Sequence, residues 1–317
     1  MTNRTHVLLW TDTPAAYAAA IADAGLGDRV IVETLKRSEM PSPAQCANVE
    51  AMLAWGAPAG VLPGMAKLRW AQSLTAGVEG WFALPDLPAG LTLTCARGTH
   101  RESMPENILG ALFHIAKPYA AIAQTPPGQW VRRMAMPLAG KTLGILGLGA
   151  IGQDLARMAS AIGMRVIGTR RGKAAVDHAE VYPPERTDEV LAQSDFVVLL
   201  LPATPETDNF INAERLAKMK PSAWLLNFGR GHLIKDEDLI AACKGKTIAG
   251  AILDVFRTEP LPAEHPFWRA EGIMVLPHIG GGHPARDSVV ARLFVDNLSR
   301  FLDGRPLREL VDRNAGY

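Results

Sequence analysis

Cysteine is scarce in this chain. Cys46, Cys95 and Cys243 are the only three in 317 residues, odd in number and far apart, which excludes a disulfide framework and a cysteine-built metal knuckle. A reducing cytoplasm is the expected setting, and no metal is expected in the site. An excess of charge of either sign is also lacking: 33 Lys and Arg stand against 32 Asp and Glu. Such a chain offers no field to a polyanion or an anionic membrane, so nucleic acid and membrane are both excluded as expected partners. Long apolar runs are missing too. Polar Thr2, Asn3 and Arg4 lead directly into a short strand-like stretch, His6 to Trp10, with no signal-peptide core. Internal repeats and low-complexity tracts are absent.

What is present is apolar content, 48% of the residues, enough at this length for two cored domains. One stretch organises them. Lys141 to Gly152 reads Lys-Thr-Leu-Gly-Ile-Leu-Gly-Leu-Gly-Ala-Ile-Gly, an apolar run ending in the spacing G-x-G-x-x-G at Gly147, Gly149 and Gly152. The first glycine permits a tight turn out of a strand, the second lets backbone approach a pyrophosphate, and the third lets the next helix lie close to the sheet. Ile151, Leu155, Met158 and Ile162 follow at helical spacing, and the helix N-terminus supplies free N–H groups to an anion.

Upstream, short apolar runs at His6–Trp10, Val30–Thr34, Met52–Trp55, Trp70–Leu74 and Leu91–Cys95 read as strands. An alanine-rich helix over Pro14 to Ala24 follows Thr13, which suits an N-cap. The first hundred residues thus form a small α/β domain. Pro105 to Ile122 reads as one buried helix, and the Pro- and Gly-rich Thr125 to Arg133 as a loop. Downstream of the glycines, Arg165–Gly168, Phe196–Leu201, Trp224–Phe228, Ile248–Leu253 and Ile273–Leu276 continue the rhythm of a parallel sheet, six strands counted from Leu143. The last helix, Ala285 to Leu302, is expected to return to the first domain.

In NAD-binding sheets an acidic residue about twenty positions past the glycines takes the ribose hydroxyls. Here that place reads Gly168-Thr169-Arg170-Arg171-Gly172-Lys173. Thr169, Arg170 and Arg171 suit the dianionic 2′-phosphate of NADP, and the carboxylate that would repel it is missing. NADP is therefore the expected cofactor, preferred over NAD.

Three polar residues fall where later strands should end: Arg230 in Asn-Phe-Gly-Arg-Gly, Glu259 in Leu-Asp-Val-Phe-Arg-Thr-Glu-Pro, and His278 in Pro-His-Ile-Gly. Reducing a 2-keto acid by hydride needs a cation for the carboxylate and carbonyl, a proton donor for the forming alkoxide, and a carboxylate to keep that donor charged. With Leu-Pro-Ala-Thr-Pro-Glu-Thr at 201–207 and the glycine stretch, these motifs occur in order along nearly the whole chain. In them the sequence resembles the D-isomer-specific 2-hydroxyacid dehydrogenases, within them the glyoxylate/hydroxypyruvate reductase type.

That resemblance implies an α/β protein of two Rossmann-like or flavodoxin-like domains with parallel sheets, the cofactor domain (101–285) inserted in the substrate domain (1–100 and 286–317), with a cleft that closes on substrate. It implies His278 as general acid, Glu259 as its orienting carboxylate and Arg230 as the residue that binds and polarises the substrate. Cofactor contacts are expected from Gly147, Gly149, Ala150, Ile151, Gly152, Thr169, Arg170, Arg171, Leu201, Pro202, Thr207, Phe228, Gly229, Asp254, His278 and Gly280. Substrate contacts are expected from Trp55, Thr75, Ala76, Gly77, Arg230 and His278. A homodimer formed through the cofactor domain is implied, with Trp130 approaching the partner's site. Trp81, Met134 and Trp268 suit either a pocket wall or the core. The run Gly280-Gly-Gly-His-Pro is richer in glycine than the family pattern.

The expected function is NADPH-dependent reduction of glyoxylate or hydroxypyruvate to D-2-hydroxy acids. The alternatives are a bulkier substrate, phenylpyruvate-like or sugar-derived, and a non-catalytic nucleotide sensor like the family's corepressor relatives; the intact Arg, Glu and His set speaks against the sensor.

Overall fold

The apolar runs pair into two sheets whose strands all lie parallel. In the computed structural model residues 4–172, 174–314 and 316 are described; Thr2 and Asn3 of the leading segment and Lys173 of the basic turn lie outside them. The chain divides into two units, Met1–Thr99 with His283–Tyr317, and His100–Gly282. The second is thus inserted in the first, and the fold is α/β throughout.

The first unit is built on β1 (Thr5–Trp10), β2 (Val30–Leu35), β3 (Ala51–Ala54), β4 (Trp70–Ser73) and β5 (Thr92–Thr94), in the order β2-β1-β3-β4-β5. Alternate residues serve opposite faces: Val7 and Leu9 join a core with Tyr17, Ile21, Val290, Phe294 and Leu298, whereas Leu8 and Trp10 join another with Met52, Leu62 and Trp81. The last helix, Arg286–Leu302, covers the first of these faces, its Phe294 stacked on Trp70 at 5.4 Å between centroids. That is the return expected of it. A buried polar strut completes the face. Asn297 donates to Gln72 and to the Arg308 carbonyl and accepts from the Arg308 amide, so no polar atom of its amide is left without a partner.

The second unit holds β6 (Thr142–Leu146), β7 (Arg165–Thr169), β8 (Glu180–Tyr182), β9 (Phe196–Leu199), β10 (Trp224–Asn227), β11 (Gly250–Leu253) and β12 (Ile273–Val275), ordered β12-β11-β10-β9-β6-β7-β8. Every residue of β9 is buried, as a strand covered on both faces requires. The order reverses beside β6, so the loops leaving β6 and β9 part at that point and open a crevice at the strands' C-terminal ends.

Three local expectations need correction. Among the described residues the sheet has seven strands rather than six: Glu180-Val-Tyr pairs with β7, Tyr182 opposite Thr169, and is too short and polar to announce itself as an apolar run. The helix expected over 105–122 is two, Ser103–Ala116 and Tyr119–Ala123, because Pro118 has no N–H to continue the ladder and forces Lys117 into extended backbone. Thr13 does not cap its helix; its hydroxyl donates to Asp287 at 2.7 Å.

Candidate active site

Because all seven strands of the second sheet run the same way, their C-terminal ends share one edge, and each candidate side chain lies within a few residues of such an end. At β6 the glycine spacing does what its chemistry demands. Gly147 sits at φ +112°, where a Cβ would come 2.7 Å from the Leu200 carbonyl oxygen. A Cβ on Gly152 would come 2.4 Å from the Gly147 carbonyl oxygen, so the helix Ala150–Ala161 starts hard against the turn. Gly149 caps that helix, and a Cβ there would meet no heavy atom within 4 Å among the described residues. This is an open approach to free helix N–H groups, which fits a pyrophosphate. Ala150 and Ile151, partly buried, form the first turn.

At β7 the buried Thr169 turns its carbonyl to the amides of Gly147 and Leu148, at 3.2 and 2.9 Å. Arg170 and Arg171 follow, half-buried and exposed. Glu206 is held below the usual carboxylate range first by the Thr204 hydroxyl, with a smaller pull from the Arg171 charge, which brings the basic turn near the 202–207 loop. In that loop Thr207 donates to the Pro202 carbonyl at 2.7 Å and accepts from the Thr204 amide at 2.8 Å. Its hydroxyl shapes the loop that carries Leu201 and Pro202.

At β10 the chain turns through Phe228 and Gly229 to Arg230. Asn227, 1% exposed, donates to the Arg230 carbonyl at 2.9 Å and accepts from the Gly229 amide at 3.1 Å, and Arg230 itself donates to the Gly229 carbonyl. A Cβ on Gly231 would lie 1.9 Å from the Phe256 carbonyl carbon, so this turn packs directly on the loop after β11.

That loop begins at Asp254, 1% exposed, whose two carboxylate oxygens accept the amides of Ile279 at 2.7 Å and Gly280 at 2.9 Å. Burial pushes its carboxyl above the usual range against the pull of those two N–H groups. A Cβ on Gly280 would fall 2.6 Å from the same carboxylate, which is why a glycine stands there. Asn107 holds the segment from the other side through the carbonyls of Gly280 and Ile279, at 2.9 and 3.3 Å.

Between these clamps lie the acid–base candidates. Glu259 accepts the Phe256 amide at 2.8 Å through one oxygen and meets His278 Nδ1 with the other at 2.6 Å. The second ring nitrogen of His278 is not engaged by Glu259, and the His278 side chain is 53% exposed. Its backbone sits at φ +53°, a left-handed conformation a non-glycine residue holds only where the surroundings impose it, and one common at functional sites. Arg257 anchors the same loop, donating to the carbonyls of Ile234 and His232 and pairing with Asp208.

In the first unit, Thr75, Ala76 and Gly77 follow β4 in a turn tied by Thr75, whose hydroxyl donates to the Gly77 carbonyl at 2.6 Å. Arg286 donates to the Leu74 carbonyl and lies 4.6 Å from the Trp55 ring centroid. Of the other large side chains, Trp81 is core at 1% exposed, while Met134, Trp130 and Trp268 face solvent.

A family model described as "D-isomer specific 2-hydroxyacid dehydrogenase, NAD binding domain" matches residues 109–280, more than half of the chain. The chain belongs to the D-isomer specific 2-hydroxyacid dehydrogenase family. A glyoxylate/hydroxypyruvate reductase B of Enterobacter agglomerans is 33% identical over 78% of this chain and 79% of its own. Among solved structures, a D-isomer specific 2-hydroxyacid dehydrogenase from Xanthobacter autotrophicus Py2, in complex with NADPH and MES, superposes with a TM-score of 0.87 at 29% identity, covering 99% of this chain and 100% of that one. An NADPH-dependent glyoxylate/hydroxypyruvate reductase from Sinorhizobium meliloti, in complex with NADP and sulfate, does so at 0.84 and 29%, with the same coverage. The chain spans 59% of the length of the first two curated relatives it matches.

In this family member, sequence reading missed the side chains that hold the site rather than line it: Asn227, Arg257, Asn107 and Arg286. Asn227 carried a signal. A lone amide ending an apolar strand just before Gly and Arg has no role in the core and is placed to hold the turn. Arg257 and Arg286 are read only from contacts distant in sequence.

Proposed function

We propose that this protein is an NADPH-dependent reductase of small 2-keto acids, glyoxylate and hydroxypyruvate among them, forming D-2-hydroxy acids. The observation that carries the proposal is the Glu259–His278 pair, 2.6 Å apart, on the same sheet edge as Arg230 and the glycine turn. A His whose Nδ1 is held by a carboxylate is fixed in orientation and tautomer, leaving Nε2 to donate a proton. His278 is the general acid that protonates the forming alkoxide, and Glu259 is its positioning residue. Arg230 binds the substrate carboxylate and polarises the ketone, charge-assisted and worth more in a site that excludes water. The amides of the 75–77 turn and Trp55 complete substrate binding.

NADPH, when bound, supplies the hydride. Gly147, Gly149, Ala150, Ile151 and Gly152 would hold its pyrophosphate, Thr169, Arg170 and Arg171 its 2′-phosphate, and Leu201, Pro202, Thr207, Phe228, Gly229, Asp254 and Gly280 the walls of its groove. The open approach in front of Gly149 and the two guanidiniums after β7 support this fit. NADPH in the Xanthobacter structure and NADP in the Sinorhizobium structure support it further. We also assign the protein to the cytoplasm as a homodimer; among the described residues no helix is long and apolar enough to cross a membrane. NADPH oxidation measured with glyoxylate, hydroxypyruvate and phenylpyruvate side by side tests the reading: turnover of the two small acids supports it, and turnover of phenylpyruvate alone, or a preference for NADH, overturns it.

A further inference from the structure

The first unit contains a cavity of about 270 Å³ lined by Trp10, Arg37, Trp55, Gly56, Ala57 and Pro58, at the C-terminal ends of β1 and β3. Its volume is on the order of nine water molecules, more than glyoxylate needs. Two guanidiniums share the Trp55 ring, Arg286 at 4.6 Å and Arg37 at 5.2 Å from its centroid. They differ in charge balance. Arg286 is paired with Asp287 at 2.9 Å and donates to the Leu74 carbonyl, and Asp287 is itself held by Thr13 and by the Tyr17 hydroxyl at 2.7 and 3.2 Å. Arg37 is exposed and, among the described residues, has the Trp55 ring as its contact and no carboxylate partner. The cavity therefore has aromatic walls and an uncompensated positive charge. Through Trp55 and Arg286 it is linked to the turn after Leu74, which the proposed function assigns to substrate binding.

We propose that this cavity is the subsite for the far end of the substrate, that it takes a second anionic group, and that Arg37 determines that specificity. The inference rests on the 2-keto acid reading and names the class: 2-keto acids carrying a second acid group two or three carbons from the ketone. A neutral apolar arm is the weaker fit, because it would strip water from the Arg37 guanidinium without supplying an acceptor. An anionic arm supplies one, with the charge-assisted hydrogen bonds that guanidinium favours.

The test compares two substrates of similar length, 2-ketoglutarate and 2-oxohexanoate, as kcat/KM with NADPH in the full-length protein and in Arg37→Gln. The expected result is a preference for 2-ketoglutarate of about tenfold or more, carried by KM, that falls to near one in Arg37→Gln. A native ratio near one, or a ratio that survives the substitution, overturns the inference. Glyoxylate with NADPH, measured alongside, tests the parent reading separately. If glyoxylate is not reduced, that reading fails, and calorimetric binding of the two acids decides the subsite: 2-ketoglutarate bound by the native protein and not by Arg37→Gln supports it, and equal binding of both acids overturns it.

Discussion

The two sheets present the candidate loops at the same ends of their strands but hold them by different means. On the seven-stranded sheet two of the loops are pinned from beneath by a buried polar side chain: Asn227 under the Arg230 turn, Asp254 under the segment after His278. On the five-stranded sheet, beside the buried Asn297–Gln72 strut, a partly exposed chain of polar groups pins the strand ends: Thr13 and the buried Tyr17 hold Asp287, Asp287 holds Arg286, and Arg286 lies on the Trp55 ring. Pinning from a core gives a fixed geometry, because every alternative leaves a buried donor or acceptor unpaired. Pinning by partly exposed charges is weaker and more easily retuned. Under the proposed function, chemistry belongs on the first edge and selectivity on the second.

The largest expected effect breaks the rigid edge at its reacting group. His278→Ala should lower kcat for glyoxylate reduction by about 10²- to 10⁴-fold, the usual worth of a positioned general acid. The side chain is half exposed, so thermal unfolding should barely move. Turnover at neutral pH equal to that of the native protein would remove His278 from the mechanism. Glu259→Gln should give a smaller loss, because an amide oxygen still meets Nδ1 and keeps the ring oriented while bringing no negative charge beside it.

Next comes the support rather than the reacting group. Asn227→Ala leaves the Gly229 amide without its partner inside the protein and the Arg230 carbonyl with the Leu233 amide alone, at a cost of about 1 to 3 kcal/mol in stability by denaturant titration. Because the turn it frees carries Gly229 of the proposed cofactor groove as well as Arg230, kcat/KM should fall and NADPH affinity should weaken with it. A loss of stability with full activity would show that the Arg230 turn keeps its shape without the buried amide.

How much of this was legible beforehand follows the same division. The glycine turn, the strands of both sheets apart from β8, the returning last helix and the order of Arg230, Glu259 and His278 were readable, because each rests on a local pattern: a spacing, an apolar run, a polar residue at a strand end. What escaped depends on contacts between residues far apart in the chain. Asp254 stood among the expected cofactor contacts, yet its carboxylate grips the amides of Ile279 and Gly280 some twenty-five residues on. Thr13 precedes its helix as a cap should, and local preference was overridden by Asp287, 274 residues away. Glu180–Tyr182 joins the sheet only because β7 offers it an open edge.

A third prediction concerns the readable basic turn. Removing both guanidiniums in Arg170→Ala with Arg171→Ala should cut the preference for NADPH over NADH by about ten- to a hundredfold, the worth of one or two charge-assisted bonds. The KM for NADPH should rise while that for NADH holds. If both rise together, the turn serves the adenosine or the fold rather than the 2′-phosphate.

The smallest effect sharpens the comparison from the other edge. Thr13→Val removes one hydroxyl donor from Asp287 and nothing from the helix start, because the side chain makes no cap hydrogen bond there. The cost should be about 1 kcal/mol or less, since Asp287 is partly exposed and keeps Tyr17 and Arg286. A true N-cap Thr of the first helix would give a similar stability loss, so stability alone does not separate the two roles. Asp287→Asn does: if Thr13 acts on Asp287, the double variant should cost clearly less than the sum of the single ones, as coupled neighbours do, whereas strict additivity would return Thr13 to the helix and dissolve the surface network proposed to tune this edge.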